Sequence, residues 1–268
     1  MSAARPRGRW RSRLRQCGLL FAAFLPLPLK RFVYRWGFGY RISRTARIGI
    51  AYLDCARLTI GDHAQIAHGN VFLRCGDVTI GNHVRIGPLN LLHGGERIVL
   101  DDYAEIRRLN FISAIHDHDC TNQPDSSFYL GYGAVVTAEH RIDFTDRVRI
   151  GRRSILGGRN SSIWTHNIRT GIPVEIGDYC YIGSEVRFAP GASVPDCCVV
   201  GLGSVLIRPQ TEPYSLIAGV PAARKRGLGE ADYPLIFGKT RRDLPDEPLC
   251  PPPPPSHEPA PHREAVGE

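Results

Sequence analysis

Leu58-Thr-Ile-Gly-Asp-His-Ala-Gln-Ile-Ala67 returns twenty residues later as Val78-Thr-Ile-Gly-Asn-His-Val-Arg-Ile-Gly87, and after twenty more as Ile98-Val-Leu-Asp-Asp-Tyr-Ala-Glu-Ile-Arg107. Two further copies follow, Val148-Arg-Ile-Gly-Arg-Arg-Ser-Ile-Leu-Gly157 and Val174-Glu-Ile-Gly-Asp-Tyr-Cys-Tyr-Ile-Gly183. Cys55 and Cys75 stand at one phase of successive copies. Such self-similarity marks a repeat architecture. Inside the repeats the period is six: Ile176, Ile182, Phe188, Val194, Val200 and Leu206 form one unbroken series, Ile60, Ile66 and Phe72 another. Neither an α-helix (3.6) nor an alternating strand (2) sustains a period of six. A triangular coil does, with a short strand on each side, one inward aliphatic per side and tight, glycine-assisted corners. Stacked coils of about eighteen residues bury a continuous column. The two extra residues of the early repeats are expected to bulge one corner.

Working outward, the spacing locates interruptions. Residues 98 to 148 exceed two coils by about ten residues, and Ile115–Phe128 has no hexad character; a shorter loop is expected near Asn167–Ile172. Loops leaving a rigid scaffold are where sites are built. The hexads stop after Leu206, and with the turn-rich stretch Pro209–Lys225 the repeat domain is read as residues 42–226. Beyond them, 227–268 ends in Pro251–Pro255 and reads as a largely disordered tail. Residues 1–41 form a third region, with Lys30 and nine arginines and no acid. Against a chain total of +8, this leaves the other 227 residues at −2, so the body is not a basic nucleic-acid reader and no nucleic-acid partner is expected.

The run from Cys17 to Leu29 is too short for a comfortable membrane span, carries Pro26 and Pro28, and leads to no small-x-small cleavage site. Two readings stay open: a helix capping the end of the core, or a segment lying in a membrane interface. The eight cysteines show no CxxC pair or zinc spacing, which fits a reducing compartment. The expected location is the cytoplasm, with the N-terminal segment able to rest on the inner face of the membrane.

The hexads resemble those of the hexapeptide-repeat proteins, whose fold is an all-β, left-handed parallel β-helix, an exception to right-handed crossovers. The later half sharpens the likeness. Ile176-Gly-Asp-Tyr-Cys-Tyr-Ile-Gly-Ser184, Pro190-Gly191, Gly201-Leu-Gly-Ser-Val205 and Ala218-Gly-Val-Pro-Ala222 with Arg224-Lys225-Arg226 occur in order. This succession looks like the maltose, galactoside and nodulation O-acetyltransferases and acetyltransferases of polysaccharide biosynthesis. The resemblance implies a homotrimer with sites at subunit seams, acetyl-CoA as donor and a saccharide acceptor.

It also implies roles. His166, in Ile163-Trp-Thr-His166, stands where that family has its catalytic base. Gly183, Ser184, Gly201, Leu202 and Gly203 would line the pantetheine arm. Arg208, Arg224 and Lys225 would face phosphates. Acceptor recognition does not carry over from the family; from the sequence itself the acceptor is assigned to His116, His118, His140, Trp164 and Asn167. The family's acceptor asparagine, about thirty residues before the base, is missing; Ala134-Val-Val-Thr-Ala-Glu-His140 stands there. His63 and His83 recur at one corner and are expected to stack on the surface. No metal is expected. The alternatives are a non-catalytic β-helix scaffold and a metal-dependent enzyme similar to the γ-type carbonic anhydrases.

Overall fold

A computed structural model describes residues 7–115, 125–166, 172–238 and 240–245, with side chains from residue 13 onward. The hexad columns are realised directly. Eight coils stack in parallel among the described residues, each with three short strands on the three sides of a prism. On the first face Ile42, Ile60, Ile80, Leu100, Leu130, Ile150, Ile176 and Val194 lie in register. On the second, Ile48, Ile66, Ile86, Ile106, Val136, Leu156, Ile182, Val200 and Ile217 do so. The third carries Leu53, Phe72, Leu92, Ile112, Ile142, Ile163, Phe188 and Leu206. All of these side chains are buried in one cluster. Each contributes about 1.5–3 kcal/mol of apolar burial.

The corners add a feature that the repeats alone do not announce. The Gly of the Ile-Gly-Asp unit is not the left-handed residue. That conformation falls two positions later, on His63, His83, Tyr103 and Tyr179, whose φ values are 56° to 60°. The glycine is required for closeness instead: a Cβ on Gly151 would lie 2.4 Å from the carbonyl carbon of Gly177 in the next coil. The expected stacking is present, with His63 over His83 at 4.9 Å and His83 over Tyr103 at 4.7 Å.

Length varies mainly at the third-to-first corner. Phe72 to Ile80 is eight residues where Ile80 to Ile86 and Ile86 to Leu92 are six. The two expected extra residues sit there, and the strands Ala51–Ile60 and Asn70–Ile80 run through that corner with a register shift. Both longer excursions, containing residues 116–124 and 167–171, leave from the same corner.

Both ends of the prism are closed. Helix α1 (Arg7–Phe24) buries Leu19, Ala22 and Ala23 against the first coil. Helix α2 (Leu27–Phe32) and the wider turn Val33–Gly37 complete the cap. The carbonyls of the first coil have no coil below them, so the cap supplies donors. Lys30 Nζ reaches Gly49 O at 2.6 Å, Tyr34 Oη reaches Ala51 O at 3.2 Å, and Tyr40 Oη reaches Leu53 O at 2.8 Å. Arg31 donates to Ala46 O and Arg15 to Cys55 O. Burial pushes the Lys30 ammonium below its ordinary pKa and the Tyr40 hydroxyl up to about 12. The capping reading of residues 1–41 thus describes the segment's inner side.

At the other end a hairpin, Ser215–Gly219 with Ala222–Gly227, extends the second face. The expected disordered tail from 227 is folded over residues 227–238 and 240–245, because this part carries apolar residues before the prolines begin. Ile236, on helix α3 (Tyr233–Phe237), packs with Tyr179, Cys197 and Val199. A strap then returns along the first-to-second corner. Arg241 Nη1 donates to His83 O (2.8 Å) and Tyr103 O (2.9 Å) and Nη2 pairs with Asp243 (2.8 Å), while Leu244 is buried over Gly133.

The strap ties the latest residues to the third and fourth coils through one buried guanidinium. Arg241→Ala should lower stability by roughly 2–4 kcal/mol, read by urea denaturation, because it leaves two carbonyls short of a donor. Arg241→Lys should recover little of this, since an ammonium cannot span both carbonyls and the carboxylate.

Candidate active site

The third-to-first corner gathers the chemistry. Aligned by the strand registers, it presents His93, Ser113, Asp143 and Trp164 one above another at the end of the third face. His166 lies two residues beyond Trp164, at the root of the second excursion. Its backbone N–H donates to Asp143 Oδ2 at 2.9 Å. Asp143 Oδ1 accepts from the N–H and hydroxyl of Thr145, at 2.9 and 2.6 Å. The N–H of Ile115, at the root of the first excursion, reaches Thr145 Oγ1 at 2.8 Å. One carboxylate and one hydroxyl, both buried, therefore hold the roots of both excursions. Thr165 Oγ1 adds a bond to Asp143 O at 3.0 Å.

His166 is half-buried, and its Nδ1 is buried with no hydrogen-bond partner among the described residues. A buried polar atom left so calls for a partner beyond the described residues. Two clefts flank this edge. One, of about 550 Å³ on the third face, is lined by Arg141, Ser162, Trp164, Glu185 and Arg187. The other, of about 650 Å³ on the first face, holds Tyr129, Arg147, Arg149 and Arg152. There Arg147 pairs with Glu175 at 2.9 Å.

Five of the residues expected to take the donor occupy the other edge of the third face. Gly183 and Ser184 lie at the second-to-third corner of the seventh coil, and Gly201, Leu202 and Gly203 directly above them, joined by Gly203 N to Ser184 O at 3.0 Å. Leu202 is largely exposed, and Gly203 has a φ of +69° with open space where a side chain would go. Arg208 is exposed on the turn that follows the third face. Arg224 is held by Ser215 Oγ (3.1 Å) and Glu212 (3.0 Å), and Lys225 is exposed on the hairpin. Within one copy the corner of Gly183, Ser184 and Gly201–Gly203 stands across the third face from His166, Arg208 follows the third face on His166's own side, and Arg224 and Lys225 extend the second face. They do not form a single pocket there.

Trp164 is 45% exposed and lines the third-face cleft, a position open to a ligand. His116, His118 and Asn167 lie outside the described residues. His140 does not fit its assignment to the acceptor: it is fully buried. It continues an interior ladder at the second-to-third corner, in which Asn90 N donates to Asn70 Oδ1, Asn110 N to Asn90 Oδ1 and His140 N to Asn110 Oδ1, each at 3.0 or 3.1 Å. Ser161 N donates to His140 Nδ1 at 3.1 Å. The proton therefore sits on Nε2, which faces Thr137 Oγ1 at 2.9 Å. Desolvation holds the imidazole neutral, with its pKa lowered to about 4 against the bonds to backbone that favour the charged form.

The histidines of the described residues also include one His-x4-His pair, His63 and His68. The first stacks on His83, and the second accepts Ile50 N–H on Nδ1 at 3.0 Å. No cluster of three or more metal-capable residues forms among the described residues. The Asp143–Thr145 clamp was missed in the sequence, although Asp-x-Thr is the signature of a side chain folding back on its own turn.

Comparison with known proteins agrees with this architecture. A UDP-N-acetylglucosamine acyltransferase of known structure superposes with a TM-score of 0.50 at 18% identity, over 72% of this chain and 71% of that one. The chain has the left-handed β-helix fold of the hexapeptide-repeat acyltransferases. The polysialic acid O-acetyltransferase OatWY matches over 70% of this chain and 84% of that one, at 22% identity and a TM-score of 0.48. Among curated proteins, the galactoside O-acetyltransferase of Escherichia coli K12 is 26% identical over 116 residues, 41% of this chain. The chain spans 56% of that relative's length. No family model matches.

In this acyltransferase fold the interior His140 carries a pH signature. Its folded pKa lies below the ordinary 6.5, so the unfolded chain takes up a proton that the native one refuses. The resulting stability is complete above pH 6.5 and is lost as pH falls from there towards 4. Unfolding midpoints measured between pH 7 and 4 should fall along this window. His140→Asn, which extends the asparagine ladder, should flatten that part of the slope.

Proposed function

We propose that the chain is an acyltransferase that moves an acetyl-type group from acetyl-CoA to a hydroxyl or amine of a saccharide, nucleotide-sugar or lipid-linked glycan. The single observation that carries this reading is His166. It stands at an excursion root, fixed through its backbone by Asp143, with a buried ring nitrogen that nothing in the described chain satisfies. The similarity to the E. coli galactoside O-acetyltransferase supports the reaction class.

The chemistry follows from the groups present. The acceptor oxygen attacks the thioester carbonyl while the imidazole removes its proton. The tetrahedral intermediate collapses and expels the coenzyme A thiolate, which takes the proton back from the imidazolium. Coenzyme A is already a good leaving group, so no covalent acyl-enzyme is required. The donor would run past Gly183, Ser184 and Gly201–Gly203, where the open space at Gly203 admits a narrow chain, with Arg208, Arg224 and Lys225 towards the phosphates.

Separation of the Gly183–Ser184 and Gly201–Gly203 corner from His166 by the width of a face supports a site shared between copies, and hence a homotrimer. The outward positions of the third face agree: Tyr52, Val71, Leu91 and Phe111 form an apolar ladder on the surface of a single copy. Trp164 and the arginines of the third-face cleft, Arg141 and Arg187, are the acceptor contacts that the geometry supports in place of His140.

His166→Ala should lower turnover by roughly two to four orders of magnitude, measured as thiol release from acetyl-CoA with a saccharide panel. Coenzyme A affinity should stay essentially unchanged. Full activity in this variant would remove His166 from the role of base.

A further inference from the structure

The cap at the N-terminal end is built inside out. Helix α1 turns its small residues Ala22 and Ala23, with Leu19, towards the prism. Its large residues Leu14, Phe21 and Phe24 point away, on the opposite side of the wheel, and the two phenylalanines are 67% and 66% exposed. Helix α2 repeats the inversion: Lys30 is turned inward to Gly49 O, while Leu29 and Phe32 face out. Trp36, 78% exposed, lies beside Phe32 with ring centroids 6.5 Å apart. A cap that met only water would place polar groups here, and a scattered exposed apolar side chain would need no explanation; a contiguous set does.

The surrounding charge identifies what covers it. No acid occurs before Asp54, and Asp54 is paired with Arg15 at 3.3 Å. Next to Trp36 a cleft of about 580 Å³ is lined by Arg35, Arg41 and Arg44. The acid in that cleft, Asp62, is engaged by Ser43 and Thr45. A second copy of the same cap would bring equal positive charge against this surface, so self-association through it is opposed. No helix among the described residues is long and apolar enough to cross a membrane.

We propose that the outer side of the cap docks on an anionic lipid surface, with the apolar residues entering the headgroup boundary and the arginines meeting lipid phosphates. Interfacial helices combine these two features, and basic residues near an anionic leaflet add an attraction that salt screens. Docked this way, the prism stands with its first coil at the membrane and the later coils away from it. The inference rests on the cap alone and is independent of the transfer reaction.

Co-sedimentation of the full chain with vesicles tests it. Phosphatidylcholine vesicles containing about a third phosphatidylglycerol should bind the protein at least tenfold more tightly than phosphatidylcholine alone, and high salt should weaken this binding. The double variant Phe21→Glu, Phe24→Glu should lose at least tenfold in vesicle affinity with an unchanged thermal midpoint, since both side chains are exposed. Arg35→Gln with Arg44→Gln should reduce the preference for anionic vesicles. Absence of binding to anionic vesicles overturns the proposal, as does equal binding to neutral and anionic ones. It is equally overturned if the phenylalanine variant changes the oligomeric state while vesicle binding is retained.

Discussion

Each coil hydrogen-bonds the next at the ordinary spacing of parallel strands, about 4.8 Å, and that closeness constrains everything else in the molecule. Inside the prism it fixes one aliphatic residue per side. Where a glycine follows the inward isoleucine of the first face it excludes a β-carbon, as at Gly151 and Gly177. Variation in chain length is driven mainly to the third-to-first corner, the edge on which His166, Asp143 and both excursion roots stand. A rigid column thus delivers a variable edge at which loops can be added without disturbing the core.

The same stacking makes the two ends costly, because the terminal coils present backbone groups with no neighbour. The N-terminal solution sends Lys30, Tyr34, Tyr40 and arginines inward as donors. On helix α2, turning Lys30 inward leaves Leu29 and Phe32 outside, so there the capping role and the exposed apolar surface have one cause. At the other end the hairpin and strap close the structure by a different route, with Arg241 reaching carbonyls 138 and 158 residues away in sequence.

Much of this was legible in the sequence, for a physical reason: inward positions are chosen by burial alone, so Ile176, Ile182 and Phe188 announce the period. The excursions were legible from spacing. The strap was not, since Arg241 to His83 is a single long-range contact with no periodic trace. His140 misled because histidine invites a chemical reading. Its phase says otherwise: it follows Asn70, Asn90 and Asn110 after one coil lengthened by the first excursion, and it inherits their interior place. The left-handed corner residues carry no periodic mark of their own. The hydrogen bonds between stacked corners, such as Tyr103 N to Asn82 O at 2.8 Å, hold larger residues in that conformation.

The central functional claim is that the second-to-third corner of the last coils receives a coenzyme A thioester, which a seam brings to His166. Isothermal titration of the full chain with acetyl-CoA and with free coenzyme A tests it most directly. The account predicts saturable binding of both, near one per chain. A folded, oligomeric protein that binds neither would contradict it and leave the β-helix as a scaffold without this chemistry.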